Sequence, residues 1–141
     1  MRTRFHEDID KLAAGLEAMC LRDRSAIAAA THALLDADLQ QAEHAIDLCA
    51  DIATAGQECE HAAVRLLALQ APVAGELRQV VTAVQIVGDL TRIGALAEHI
   101  AEIARRRHPE PAVPDSVRPI LARTPAGRAA GDGRPTSSHS R

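Results

Sequence analysis

The constraint that most narrows the fold is the spacing of apolar residues. From Phe5 onward, Ile9, Leu12, Leu16, Met19, Ile27, Ala30 and Leu34 recur at intervals that are mostly three or four, the mark of a helix with one apolar seam. Asp23 interrupts that seam. The stretch LLDADLQQ then supplies a stop and a restart, with Asp38 placed as an N-cap whose carboxylate can accept free backbone N–H groups of the next helix. A second seam runs through Leu39, Ala42, Ile46, Cys49, Ile52, Gly56, Cys59, Ala63, Leu66 and Gln70. After it comes Pro72, expected in the first turn of a third helix because it lacks a donor that would be unpaired there anyway; Glu76 suits the positive end of that helix dipole. Val73, Leu77, Val80, Val84, Val87, Gly94, Ala97, Ala101 and Ala104 mark the third seam. Three helices of roughly 30 residues, each about 45–50 Å long and joined by short connections, lie antiparallel. An all-α, antiparallel three-helix bundle over residues 1–107 is the simplest way to bury all three seams.

Composition says how such a bundle must pack. With one Phe, no Tyr and no Trp, the core has to come from Ala, Leu, Val and Ile, which favour closely approaching helices over an aromatic-rich sheet. Gly15, Gly56, Gly88 and Gly94 fall inside the helices, where close backbone contact is the expected return for their helix-weakening effect. The same lack of aromatics removes the stacking platforms used by single-strand binders, and a net charge of −3 gives no prior for nucleic acid. MRTRFHEDID leads into acids without an apolar h-region, so no secretory signal is expected and a cytoplasmic location is. The charge-free run between Arg78 and Asp89 is far short of the ~20 residues that cross a bilayer, so no membrane span is expected. Cys20, Cys49 and Cys59 form no CxxC pair, and Cys49 and Cys59 stand about 15 Å apart along one helix; reduced thiols acting as small apolar groups are the simplest account. Beyond Arg107 the chain changes character. Residues 108–141 hold six of the seven prolines, and the charge balance turns from 11 basic and 16 acidic residues to 5 basic and 3 acidic. That tail is expected to be mostly disordered.

Few groups suggest chemistry. Glu43, Asp47 and Asp51 repeat every four residues on the second helix, where like charges repel by a few tenths of a kcal/mol per pair; the face is solvated, docks a basic partner or carries a cation. Glu58 and His61 form a Glu-x-x-His pair, the spacing of di-iron bundles, but those need a second pair and two further carboxylates, and no second copy is visible. His99 with Glu102 is weaker still. Arg105, Arg106, Arg107 and His108 end the third helix, where cations complement the dipole or meet an anionic lipid or an acidic partner surface. No HExxH, Gly-rich phosphate loop or nucleophile elbow occurs, and no nucleophile, base and oxyanion donor can be placed together, so an enzyme is not expected.

The opening MRTRFHEDIDKLAAGLEAMCLRDRSAI and the stretch RLLALQAPVAGELRQVVTAVQIVGDLTRIGALAEHIAEIARRRHP resemble one repeat of the PhoU family, the accessory regulators of bacterial phosphate-specific transport. The LALQ-P-VA-x-x-LR connection followed by D-L-x-R-x-G-x-L-A carries the likeness, which covers roughly residues 1–120. The Ala- and Arg-rich, Lys-poor composition is similar to that of high-GC actinobacterial members. The resemblance implies a second repeat, of which PDSVRPILA looks like the start. The low-complexity TPAGRAAGDGRPTSSHSR after it is unlike that repeat, and a truncated or frame-shifted gene is one expectation for it. The resemblance also implies a metal site built from an acidic residue and an Asp four positions on, a spacing that puts both on one helix face. Here those positions are Thr91 and Ala95, neither of which is an anionic ligand. Arg92 and Gly94 keep the pattern, and Arg92 can equally pair with Asp89.

The function implied by the resemblance is that of a non-enzymatic adaptor. It would link the ATPase of the phosphate ABC transporter to a phosphate-sensing histidine kinase and restrain the starvation response. Glu43, Asp47, Asp51, Arg92, Arg105 and Arg106 are the expected docking residues. No cofactor is expected. Two alternatives stand beside it: a metal-binding helical bundle resting on Glu58 and His61, and a half-length paralogue that acts mainly by forming a homodimer, covering the surface a second repeat would have covered.

Overall fold

The computed structural model describes residues 2–132. Three long helices, α1 (Arg2–Asp36), α2 (Leu39–Gln70) and α3 (Gly75–Arg107), each pack against the other two as an antiparallel three-helix bundle. Two short helices, α4 (Arg118–Ala122) and α5 (Pro125–Asp132), come after them, and there is no strand among the described residues.

The turns are built as the sequence leads one to expect, with one exception. Ala37 ends α1 in the left-handed region at φ 51°, and the Asp38 N–H reaches back to the Ala33 carbonyl at 3.3 Å, satisfying a carbonyl the helix end leaves free. The Asp38 carboxylate accepts from the Gln41 N–H at 3.2 Å and so caps α2. α2 ends at Gln70, and Ala71 also takes a left-handed φ, of 40°. Pro72 does not enter α3: it lies buried in the connection, and the helix begins at Gly75 with Glu76 in its first turn. Ala74, at φ 50°, precedes α3 without any side-chain cap. The connection thus takes four residues, 71–74, before helical geometry resumes.

The core follows the three seams and divides in two. From the α2–α3 turn to the middle of the bundle it contains Phe5, Leu12, Met19, Ile52, Leu66, Val80, Val87 and Leu90. Toward the α1–α2 turn the buried clusters are built on alanines, Ala29, Ala30, Ala45 and Ala101, then Ala33, Ala42 and Ala104, with Ile46, Ile100 and Leu34 half-buried against them and Leu35 buried nearby. The glycines at Gly56 and Gly94 set the closeness of approach in between. A Cβ on Gly56 would stand 2.7 Å from the Thr91 hydroxyl, and one on Gly94 would stand 2.9 Å from the Ile52 side chain. Gly15 likewise faces Cys59. Gly88 differs from its expected role, because nothing lies within 4 Å of where its Cβ would be.

Two further findings depart from expectation. Residues 108–132 are not simply an unstructured tail: α5 packs on α1 and buries Gly127 and Ala130, while Arg118 donates to the Leu35 carbonyl and, at 2.7 Å, to the Asp36 carboxylate. The rest of the expected tail, 133–141, lies outside the described residues. In addition, α3 contains an 18-residue window long and apolar enough to cross a membrane by length and composition, of which only 28% is buried. That window is longer than the charge-free run because isolated charges within it do not cancel the Val, Ile and Leu around them.

Candidate functional site

The middle of α3 is where the implied metal carboxylates would stand. Thr91 turns its hydroxyl back along its own helix and donates to the Val87 carbonyl at 2.8 Å, and the same oxygen fills the space left by Gly56. Ala95 is exposed and offers a methyl group. Beside them Asp89 is engaged by Arg92 at 2.6 Å, both side chains being mostly exposed, so this pair contributes at most a few tenths of a kcal/mol. A hard cation takes carboxylate oxygens, and this donor set does not fit one. Elsewhere among the described residues no three His, Cys, Asp or Glu side chains are arranged to hold a metal. Glu58 and His61 do lie together, but they border a shallow surface hollow with Val64 and Arg65, all on α2. No other helix brings a ligand to them.

The proposed docking residues form two surfaces. Glu43, Asp47 and Asp51 are all exposed on α2, on positions interleaved with the buried Ala42, Ala45, Cys49 and Ile52. Their four-residue spacing aligns them as one acidic ridge. Arg105, Arg106 and Arg107 are exposed in the last turn of α3, where they complement the negative end of the helix dipole. Arg92 stands earlier on the same helix, paired with Asp89.

Sequence reasoning missed two groups. Asp23, which breaks the α1 seam, is not turned to solvent: it is 3% exposed, and neither carboxylate oxygen has a hydrogen-bond partner. Burial pushes its pKa from 3.8 up to about 6, because the charged form loses more hydration than the neutral one. Cys49 is pushed up to about 11 by burial first, then by the charges of Glu98 and Asp23. Cys59 is also raised, by burial and then by Glu58, so both buried thiols are unreactive. The available signal for Asp23 was its register: it follows Met19 by four and precedes Ala30 by seven, in phase with the core. The second group lies at the α1–α2 turn. His32 Nε2 sits 3.2 Å from Asp36 and 3.8 Å from Asp38, and His108 Nδ1 lies 2.9 Å from the Ala37 carbonyl. Together with Arg118 these residues tie the end of α3 and the segment after it to the turn. Nothing in the local sequence spacing announces that cluster, since its members are up to 86 positions apart.

Comparison with known proteins bears out the family resemblance. The PhoU domain family matches residues 16–104. The chain is 50% identical over 122 residues to the Mycobacterium tuberculosis "phosphate-specific transport system accessory protein PhoU homolog 2", covering 86% of this chain and 57% of that protein. It is 48% identical to PhoU homolog 1 of Mycobacterium leprae, covering 86% of this chain and 55% of the relative. A PhoU homolog of Aquifex aeolicus is 38% identical over 57% of this chain and 37% of its own length. The chain therefore spans little more than half the length of the mycobacterial relatives it matches. No solved structure gives a significant match.

Proposed function

The chain belongs to the PhoU family, and from that premise we propose that it is a non-enzymatic accessory regulator of phosphate uptake. In this proposal it works in the cytoplasm as an adaptor between the ATPase of the phosphate-specific ABC transporter and a phosphate-sensing histidine kinase, restraining the starvation response when phosphate is plentiful. The observation that carries it is the 50% identity to a protein named as an accessory of phosphate-specific transport. The geometry supports the adaptor form. Long helices hold the acidic ridge of Glu43, Asp47 and Asp51 and the basic groups Arg92, Arg105 and Arg106 on rigid, exposed elements, which suits helix-face recognition. The full chain should co-purify with the transporter ATPase and the kinase, and its deletion should raise a phosphate-repressed reporter in phosphate-rich medium. Loss of co-purification together with an unchanged reporter would remove the proposal.

A second reading is favoured by α3. Leu77, Val81 and Val84 are exposed at spacings of four and three, so the helix that carries the long apolar window has an uncovered strip, and such strips mark association surfaces. On this reading two copies form a homodimer through that strip. Light scattering should give twice the chain mass, and Val81→Asp should halve it. A wild-type monomer at high concentration would exclude the homodimer.

A further inference from the structure

We propose that Asp23 is a proton-linked latch between α1 and α3: protonated, it lets the helices close at Gly94, and ionised, it opens that contact until water reaches the carboxylate. The arrangement that motivates this is geometric. Both Asp23 oxygens are sealed from solvent and have no hydrogen-bond partner, and Oδ1 lies 3.3 Å from where a Cβ on Gly94 would stand. A neutral carboxyl tolerates such a site far better than a carboxylate, whose desolvation nothing here offsets.

The surroundings supply no positive charge to hold the ionised form. On α2 Asp23 acts on Cys49, whose thiol stays neutral, and the α3 group acting on the same thiol is Glu98, an acid. On α1 itself Arg22 and Arg24 flank the site but are exposed. α5, which packs on α1, brings Arg128, committed to the Arg123 carbonyl at 2.8 Å, and Asp132. Burial is accordingly the one cause acting on Asp23.

The sign comes from proton linkage. A carboxyl whose folded value, about 6, exceeds its ordinary 3.8 binds more protons folded than unfolded between those values. The closed form is therefore favoured at acid pH and loses that advantage as pH rises through about 6. Gly94 lies between Thr91 and Ala95, so opening would reshape the middle of α3, the stretch that carries Arg92 on its opposite, exposed face. The latch does not depend on the adaptor proposal, and its test requires no partner.

Amide hydrogen exchange on the 141-residue chain, corrected for intrinsic rates, decides the matter. Protection of residues 19–27 and 90–98 should fall about tenfold between pH 5 and pH 7.5, the factor that a shift from 3.8 to about 6 produces over this range. Asp23→Asn, which cannot ionise, should show no such fall, and Asp23→Leu provides the same control should the buried amide prevent folding. A wild-type response that is flat over this range overturns the latch, as does an equal response in either variant.

Discussion

The two halves of the bundle are held by different means. Around the middle and toward the α2–α3 turn, large side chains such as Met19, Ile52, Leu66 and Val80 fill the interior, yet the turn itself is open, with Leu69 and Val73 exposed by 78% and 72% and α3 uncapped. Toward the α1–α2 turn the interior is mostly alanine, and the end is fastened by polar groups: the Asp38 cap, the His32–Asp36 contact and the Arg118 bonds. The first half gains stability from buried area, which scales with side-chain size. The second has little area to bury per residue and relies on close helix contact and on satisfied backbone groups at its end.

Truncation and enlargement should separate the halves. The largest effect is expected from Leu66→Ala, which removes a 3% exposed side chain from the large-residue half and should cost about 2–5 kcal/mol in urea denaturation. Ala45→Leu places three extra carbons at a fully buried position in the other half and should cost about 1–3 kcal/mol by overpacking; a neutral result would break the comparison by revealing free space there. Asp38→Ala strips the α2 cap and should cost about 1 kcal/mol. Arg118→Ala should change global stability least, by less than about 1 kcal/mol, because the Arg118 and Asp36 side chains remain 41% and 23% exposed. Its signature should be local: faster amide exchange in residues 118–132 with the three long helices unaffected.

The helices were legible because each seam is long and regular, and their ends because Asp38 and Pro72 punctuate them. Pro72 fell outside α3 because the turn needs the left-handed Ala71 and the Ala74 conformation before a helix can start, and single-residue dihedrals are not written in apolar spacing. The folding of α4 and α5 was hidden for a related reason. Proline-rich composition argues against order, whereas docking on α1 through Gly127 and Ala130 is a long-range fit that composition does not record. At the candidate site, the positions of Thr91 and Ala95 and the exposure of Glu43, Asp47 and Asp51 accord with helical phase. Asp23 was misread because a charged residue in a seam ordinarily signals a break; here the helix keeps its phase and the carboxyl is buried.

An alanine surface looks the same after a shift of one helical turn, so the methyl groups lining that half do little to choose how far one rod slides along another. Thr91 seated in the gap at Gly56 and Ile52 seated against Gly94 are unlike their neighbours one turn away. These two midpoint fits, both between α2 and α3, therefore help to set the longitudinal alignment of those two rods, and with it the height of the exposed charges on one relative to the other.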